Sequence, residues 1–426
     1  MLNLKPPPPL SLYIHIPWCV RKCPYCDFNS HEARTEIPEQ AYIDALLRDL
    51  EQDLPRVWEE VAHDCMDAGG RATQGAVAKE RADYGAEDAR VVHTVFLGGG
   101  TPSLFSPEAI DRLLSSIRER VPLKPDAEVT LEANPGTIDT ERFKGFRDAG
   151  VNRLSVGIQS FDPEKLKALG RIHGRTEALR AAEAARAAGF ENINLDLMYG
   201  LPRQTVDQVL ADVRTAIDMQ PAHLSMYQLT IEPNTLFHAK PPALPDDDTS
   251  WEMQNRMQDM LVGHGYKQYE VSAYAKPGYE CRHNLNYWRF GDYLGIGAGA
   301  HGKITGVQGI TRIWKVKHPG NYMEKAGAPT AIGGINNLMP QDAAAEFLLN
   351  ALRLMEGFAS SLFQERTGLS LSTVEESLRL AETKGLLSRD NITIRPTELG
   401  RRFLNDLQML FLPEASRHNS QSIIHG

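Results

Sequence analysis

Three cysteines lie within eight residues near the start of the chain, at Cys19, Cys23 and Cys26, with the spacing C-x3-C-x2-C. A short loop with this spacing can place three thiolates around one face of a 4Fe–4S cluster, which normally takes four cysteine ligands. Three thiolates leave one iron with an open position, as reactive metal sites require. The pattern therefore predicts a reactive iron–sulfur site.

A zinc site and a disulfide pair are the alternatives for these cysteines. Zinc prefers four ligands, often from two C-x2-C pairs, and the sequence has no second pair. The other two cysteines, Cys65 and Cys281, are distant from each other. The N-terminus lacks the apolar core of a signal peptide, which argues against a secreted disulfide framework. The iron–sulfur interpretation is favoured.

Polar side chains interrupt three successive apolar strand patterns, at Glu132, Gln159 and Asp196. One such residue is most simply explained by a structural hydrogen bond, but three in succession favour a shared ligand. The turn Gly98-Gly-Gly-Thr-Pro-Ser lets the backbone approach a ligand closely, although any tight turn needs glycine too. Arg171 can pair with a ligand carboxylate, although a surface arginine is the common alternative.

Alternating strand and helix patterns from residue 12 to about residue 230 would position these residues. The predicted strands are Leu12–Ile16, Val91–Leu97, Glu128–Ala133, Arg153–Gln159, Asn192–Met198 and His223–Thr230. The predicted helices are Glu39–Leu54, Pro107–Arg120, Thr140–Ala149, Thr176–Ala188 and Thr205–Met219. This alternation predicts an α/β fold, an open partial (β/α)6 barrel whose reactive groups lie at the carboxyl ends of the strands.

The chain divides into three predicted parts. Residues 1–238 form the barrel, with an inserted, mobile surface segment at 56–90 that contains Cys65 as a bystander. Residues 239–335 form a connecting region with a helix at about 249–264, a strand at about 267–274 and a Gly-rich stretch. Residues 336–426 form a winged-helix-like domain, from the patterns Ala343–Leu354, Leu371–Lys384, Leu386–Arg395 and Glu398–Leu410.

Composition excludes several classes of protein. Among the 426 residues, 42% are hydrophobic and 24% are charged, which is ordinary for a soluble globular protein. No apolar run approaches the ~18 residues of a membrane span, so we expect a cytoplasmic protein. Winged helices often bind DNA, but a formal charge of −9 and an acidic second helix disfavour nucleic acid as a partner.

The motifs together resemble a known family. The cysteine loop resembles that of the radical S-adenosylmethionine (SAM) superfamily, in which SAM chelates the fourth iron of a 4Fe–4S cluster. Tyr13-Ile-His-Ile-Pro-Trp-Cys, Glu-Ala-Asn-Pro-Gly, Gly-Ile-Gln-Ser-Phe and Leu-Asp-Leu-Met-Tyr-Gly-Leu-Pro narrow the resemblance to the oxygen-independent coproporphyrinogen III oxidases and their relatives. The resemblance implies SAM contacts at Tyr13, Tyr25, Gly99, Gly100, Thr101, Glu132, Gln159, Arg171 and Asp196.

Within that family the chain resembles the heme-chaperone branch. Phe28 stands where the oxidases carry a further cysteine, and only about a dozen residues precede the first strand, where the oxidases have a longer covering segment. Cys281-Arg-His-Asn-Leu-Asn-Tyr-Trp contains the His-Asn-x-x-Tyr-Trp motif of the chaperone branch. The resemblance implies heme as a ligand, with His283 as the candidate axial ligand; a packed or capping histidine is the alternative.

We therefore expect a heme chaperone that carries a SAM-ready 4Fe–4S cluster and passes heme to acceptor apoproteins such as respiratory enzymes. The alternative is an oxygen-independent coproporphyrinogen III oxidase, which would decarboxylate its substrate through radical chemistry. Because many heme acceptors are membrane enzymes, the expected location includes peripheral contact with a membrane. The sequence leaves open whether the chain forms a homodimer and whether SAM is cleaved.

Overall fold

The computed structural model describes residues 7–63, 90–306 and 309–413. The strands are β1 (Leu10–Ile16), β2 (Trp18–Cys19), β3 (His31–Glu32), β4 (Val92–Gly99), β5 (Leu123–Ala133), β6 (Arg153–Gln159), β7 (Asn192–Tyr199), β8 (His223–Gln228), β9 (Lys267–Glu270), β10 (Ala273–Ala275), β11 (Asp292–Ile296), β12 (His301–Gly306), β13 (Gly309–Lys315), β14 (Ile332–Asn337), β15 (Phe358–Ala359), β16 (Leu387–Arg389) and β17 (Thr393–Pro396).

The α-helices connect these strands, and those of the barrel pack on one face of the large sheet. They are α1 (Glu39–His63), α2 (Pro107–Arg120), α3 (Thr140–Asp148), α4 (Pro163–Ala168), α5 (Arg175–Ala187), α6 (Val206–Asp218), α7 (Leu236–Ala239), α8 (Asp247–Gly263), α9 (Arg282–Trp288), α10 (Pro319–Lys325), α11 (Pro340–Ala351), α12 (Ser360–Thr367), α13 (Glu375–Thr383), α14 (Glu398–Arg402) and α15 (Leu404–Met409). No helix in these described ranges is both long enough and apolar enough to cross a membrane.

One large sheet organises the described part of the chain. Its strand order is β14-β13-β12-β11-β1-β4-β5-β6-β7-β8-β10-β9. The strands from β11 to β8 pair in parallel, and the strands at both edges pair antiparallel. The six predicted parallel strands are therefore confirmed. The sheet gains a seventh parallel strand, β11, from the Gly-rich stretch that gave no strand pattern.

Apolar and polar side chains alternate along the strands of the barrel. In β7, Ile193, Leu195 and Leu197 join the main hydrophobic core, whereas Asn194 and Asp196 hydrogen bond to polar residues of neighbouring strands. Side chains alternate across a strand, so one face packs on the helices and the other lines the barrel lumen with polar groups. The polar groups seen in the sequence thus point into the lumen.

Helix α1 differs from its prediction because it continues through Pro55 to His63. A proline inside a helix removes one backbone hydrogen bond and usually ends the helix there, which explains the predicted end at Leu54. The first residues of the predicted insertion at 56–90 are therefore helical. Residues 64–89 of that segment, with Cys65, lie outside the described residues.

The C-terminal part has a hydrophobic core of its own. It contains the three-stranded antiparallel sheet β15-β17-β16 and packs α11, α12 and α13 together. Two residues from the preceding region, Phe290 and Ile310, also belong to this core. The sheet and helices are the elements of a winged helix, with α12 and β15 not foreseen in the sequence. The domain boundaries at residues 238 and 335 stay a prediction.

Candidate functional site

A cavity of about 520 Å³ opens at the carboxyl ends of the parallel strands. Every predicted site residue lines it except Tyr13 and His283. The residues that it gathers are Cys19, Cys23, Cys26, Tyr25, Gly99, Gly100, Thr101, Glu132, Gln159, Arg171 and Asp196. The parallel topology explains this gathering, because strand ends that are far apart in sequence meet at one edge of the sheet.

The cysteine loop is held at the rim of this cavity by a small parallel pair of strands, in which Cys19 of β2 pairs with Glu32 of β3. All three cysteines are free and half-buried. Donors lie near two of the sulfurs: Arg171 Nη1 is 3.8 Å from Cys23 Sγ, and Ser30 Oγ is 3.8 Å from Cys26 Sγ. Free thiols on one cavity, with hydrogen-bonding groups at the sulfurs, fit a cluster ligand set.

Two further observations concern the metal chemistry of this loop. In the parts of the chain that are described, no group of three or more His, Cys, Asp or Glu side chains is placed to hold a metal ion. That finding concerns single-ion sites, since a cubane spreads its thiolates over three different irons. Burial raises the pKa of the Cys19 and Cys26 thiols, and metal binding would replace those protons outright.

Packing alone requires glycine at positions 99 and 100, in the turn at the end of β4. Gly99 has a φ of +113°, and a Cβ there would lie 2.5 Å from the ring of His15. A Cβ on Gly100 would lie 2.4 Å from the carbonyl oxygen of Trp18. Neither position can accept a side chain, so the turn brings bare backbone to the cavity wall.

Two carboxyl groups, Glu132 and Asp196, lie half-buried in the wall of the same cavity. Burial and the nearby Asp196 raise the pKa of Glu132 to about 7. Burial also raises the pKa of Asp196, against donors from Ser155 and Asn194 that favour its ionised form. The Gly99 amide donates to Glu132 Oε2 at 3.0 Å. A ligand that brings positive charge or hydroxyl donors would stabilise both carboxylates.

Two of the three guanidinium nitrogens of Arg171 already have hydrogen-bond partners within the protein. Its Nη2 donates to Asn134 Oδ1 and to the Gly157 carbonyl, both at 2.8 Å. Its Nε is buried and has no hydrogen-bond partner among the described residues. A buried N–H without a partner is costly, and a ligand carboxylate in the cavity would satisfy it.

Gln159 and Tyr25 form other parts of the wall. Gln159 adopts a φ of 68°, a strained conformation for a residue other than glycine, and this places its side chain at the cavity. Tyr25 packs against Phe237 with ring centroids 6.4 Å apart. Tyr13 lies deeper, on β1, where its hydroxyl is 3.0 Å from His15 Nδ1 and its ring stacks on Phe96.

His283 lies beneath the cavity, in α9, and is only 1% exposed. Its Nδ1 is 2.8 Å from Thr94 Oγ1 and its Nε2 is 2.9 Å from the Tyr287 hydroxyl. Thr94 donates its own proton to Ser11 Oγ, so the His283 Nδ1–H must donate to Thr94 and Nε2 must accept from Tyr287. The ring thus has both nitrogens engaged, and heme iron can reach Nε2 only after the Tyr287 hydroxyl turns away. Heme ligation by His283 stays a prediction.

Comparison with known proteins gives the family. The sequence matches the Radical SAM superfamily over residues 13–216 and the HemN C-terminal domain over residues 338–403. Curated relatives named heme chaperone HemW are 47% identical in Haemophilus influenzae and 48% identical in Escherichia coli, each over 96% of this chain and 99% of the relative. Another of that name, in Bacillus subtilis, is 34% identical over 95% of this chain and 99% of the relative. The chain belongs to the HemW family.

The fold of this HemW-family chain also matches a solved structure. Coproporphyrinogen III oxidase (HemN) from Escherichia coli superposes with a TM-score of 0.75, over 96% of this chain and 91% of that chain, at 24% identity. The likeness confirms the predicted fold class, a radical SAM barrel followed by a C-terminal domain. At this identity it concerns the fold alone.

Several residues of the HemW-family cavity and lumen were not predicted. Ser155 donates to Asp196 at 2.9 Å, and Tyr227 and Asn134 line the cavity wall. Deeper in the lumen lie the fully buried Arg153 and His223. For His223 and Tyr227 the signal was the alternation in His-Leu-Ser-Met-Tyr-Gln, and for Arg153 and Ser155 it was the start of the fourth predicted strand, Arg-Leu-Ser-Val, where polar and apolar residues alternate.

Proposed function

We propose that this protein is a heme chaperone, which binds heme, carries a SAM-ready 4Fe–4S cluster and transfers heme to acceptor apoproteins such as respiratory enzymes. The observation that carries the proposal is the identity of 47–48% to two curated heme chaperones over 96% of the chain. That similarity spans the cavity residues and α9 alike. Cytoplasmic location and peripheral membrane contact stay predictions, and whether the chain forms a homodimer stays open.

The cysteine loop would hold the cluster through Cys19, Cys23 and Cys26. When bound, such a cluster supplies one-electron chemistry and an iron with an open position. SAM carries an amino group, a carboxylate, a sulfonium charge and ribose hydroxyls. Glu132 and Asp196 suit its donors and positive charge, and the unpartnered Nε of Arg171 suits its carboxylate. The glycine turn lets its polar groups reach the main chain.

Heme is proposed to bind at the segment 281–288, with His283 as axial ligand. Burial, followed by the charge of Arg153, lowers the pKa of His283 to about 3. The ring is therefore neutral at physiological pH, as a metal ligand must be. The ring of Tyr287 is half-buried and could contact a porphyrin once its hydroxyl releases Nε2. Heme binding at His283 thus requires a local opening of α9.

The coproporphyrinogen oxidase alternative draws on the shared motifs, the HemN C-terminal domain match and the fold likeness. The oxidase structure is 24% identical to this chain, well below the chaperone relatives. Phe28, at the position of the oxidases' further cysteine, is 63% exposed on the cavity wall. A thiol is therefore missing at the place where the oxidase pattern has one.

An anaerobic experiment separates the two functions. The protein is reconstituted with iron and sulfide, then titrated with heme and followed at the Soret band. A second portion is incubated with SAM, a reductant and coproporphyrinogen III, and the products are separated by chromatography. We expect saturable heme binding and unchanged coproporphyrinogen III. Protoporphyrinogen IX formed over many turnovers per cluster, or no saturable heme binding, would overturn the proposal.

A further inference from the structure

A chain of hydrogen bonds crosses the barrel lumen from the cavity to the segment 281–288. We call it the lumen chain, and it consists of Asp196, Asn194, His223, Tyr269 and Cys281. Its contacts are Asn194 Nδ2 to Asp196 Oδ1 at 2.8 Å, His223 Nδ1 to Asn194 Oδ1 at 2.6 Å, His223 Nε2 to the Tyr269 hydroxyl at 2.8 Å, and the Cys281 amide to that hydroxyl at 3.2 Å. All five residues are buried or line the cavity.

The direction of each proton in the lumen chain is fixed. Asn194 donates from Nδ2 to the Asp196 carboxylate, so its Oδ1, which can only accept, faces His223. The neutral His223 ring therefore donates from Nδ1 and accepts at Nε2 from the Tyr269 hydroxyl, whose oxygen accepts the Cys281 N–H. Every donor therefore points toward the Asp196 carboxylate. Reversing one link would leave two buried donors or two acceptors facing each other.

The far end of the lumen chain is the start of α9. The two carboxylate oxygens of Glu128 accept the amides of Arg282 and His283 at 3.1 Å and 3.0 Å. The Cys281 thiol donates to the same carboxylate at 3.6 Å. Arg153, 2% exposed, lies within electrostatic reach of Glu128, Tyr269 and Asp196 alike. A change at Asp196 therefore acts on the groups that hold the first turn of α9.

We propose that the lumen chain couples occupation of the cavity by SAM to the heme affinity of the segment 281–288, with His223 and Tyr269 as positioning residues. The inference rests on the proposed function, since it assigns heme to that segment. A ligand hydroxyl that donates to Asp196 is a third donor beside Asn194 and Ser155, and a carboxylate that shares its charge among three donors holds each of them more weakly. The weaker bond to Asn194 loosens the link to His223 and, through Tyr269, the start of α9.

The direct test is a thermodynamic cycle on the full-length, cluster-reconstituted protein. The heme dissociation constant is measured by Soret absorbance without SAM and with saturating SAM. We expect SAM to change heme affinity by about 5- to 150-fold, the usual range of coupling between two sites. Heme must change the affinity for SAM by the same factor, because linkage is reciprocal.

Two variants break the lumen chain and one leaves it intact. Tyr269→Phe removes the hydroxyl that joins His223 to Cys281, and His223→Gln offers a second break if the first destabilises the fold. Tyr266→Phe is the matched control, because it removes a buried hydroxyl bonded at 2.7 Å to the Pro221 carbonyl, outside the lumen chain. In both chain variants the coupling factor should fall to about one, while Tyr266→Phe should keep it.

The outcomes distinguish this inference from the proposed function. A merely structural role for Tyr269 would weaken one or both affinities but leave the coupling factor unchanged, and that result would overturn the inference. So would a wild-type protein that binds both ligands independently. A wild-type protein that binds no heme would instead overturn the proposed function.

Discussion

Glu132 is a carboxyl group that gains or loses its charge near neutral pH. Burial and Asp196 raise its pKa to about 7. The Gly99 amide and the cation Arg153 act in the opposite direction and lower the pKa of Glu132. A cationic ligand binds best to the ionised carboxylate, so the site should take up SAM more readily as Glu132 loses its proton.

The affinity for SAM should therefore rise with pH. Below a pKa of about 7 binding must displace a proton from Glu132, and above that pKa it need not. Between about pH 6 and pH 8 the SAM dissociation constant should fall roughly tenfold, the cost of one proton per pH unit below the pKa. Calorimetry at both pH values measures it, and Glu132→Gln should flatten the dependence. A wild-type affinity that is constant or falls with pH would contradict this role.

The cysteine loop gives a second prediction for single residues. Cys23→Ser removes one of the three thiolates and should abolish the broad visible absorption of the anaerobically reconstituted cluster. Cys281→Ser is the control, because that thiol is fully buried beside Glu128, away from the cavity. Iron and sulfide analysis checks the result. Full cluster content in Cys23→Ser would rule out the ligand assignment.

One side chain of helix α9, Tyr287, blocks a ring nitrogen of His283, the candidate heme ligand. The Tyr287 hydroxyl occupies the His283 Nε2 lone pair at 2.9 Å, the lone pair that heme iron would need. Tyr287→Phe keeps the ring and frees that nitrogen. Because a net hydrogen bond contributes about 0.5–1.5 kcal/mol, heme should bind about two- to tenfold more tightly, as measured by Soret titration.

Tyr293→Phe is the control for that experiment. Tyr293 packs against Tyr287 with ring centroids 4.5 Å apart, but its hydroxyl accepts from Arg312 and does not contact His283. Its loss should leave heme affinity unchanged. If Tyr287→Phe binds heme no better than wild type, His283 Nε2 is not the axial ligand.

A buried ion cluster joins β13 to α1. Lys315 donates to Asp53 at 2.6 Å and also to Asp49, and all three side chains are at most 3% exposed. Lys315→Met would leave Asp49 buried without a cation and Asp53 with only the partly exposed Arg56, 3.6 Å away. The free energy of unfolding should fall by about 3–5 kcal/mol, measured as a shift of the urea midpoint. Lys317→Met, at an exposed lysine two residues away, should cost almost nothing.

The sequence predicts those strands and helices that are determined by the residues near them in the chain. The six parallel strands and the cavity at their ends follow from alternation and from short loops, which are local features. Strand β11 did not follow, because Asp292–Ile296 lies in a Gly-rich stretch and is fixed by pairing with β1. Pro55 is tolerated inside α1 although local rules place a helix end there.

The local sequence cannot determine whether the ring nitrogens of His283 are free or hydrogen-bonded. Its aromatic neighbours are compatible with a heme ligand and with a packed residue alike. The partners that occupy its nitrogens are Tyr287, four residues away, and Thr94, 189 residues away. Only the tertiary structure shows that both nitrogens are engaged.

In the whole molecule, α9 lies between the barrel and the C-terminal part. On one side it is capped by Glu128 of β5. On the other side, Trp288 stacks under Arg353, whose guanidinium carbon is 4.3 Å from the ring centroid, and Phe290 joins the C-terminal core. Because α9 is hydrogen-bonded to the barrel and packs against the C-terminal part, the opening that heme ligation by His283 would require must break contacts with both.

Transfer of heme to an acceptor is the measurement that tests the central claim most directly. Heme-loaded, cluster-reconstituted protein is mixed anaerobically with membranes from heme-depleted cells that hold respiratory apoenzymes, and reduced-minus-oxidised cytochrome spectra are followed with time. We predict that cytochrome signals appear faster than with the same concentration of free heme. Heme that stays on the protein, or that reaches the acceptor no faster than free heme does, would contradict the account.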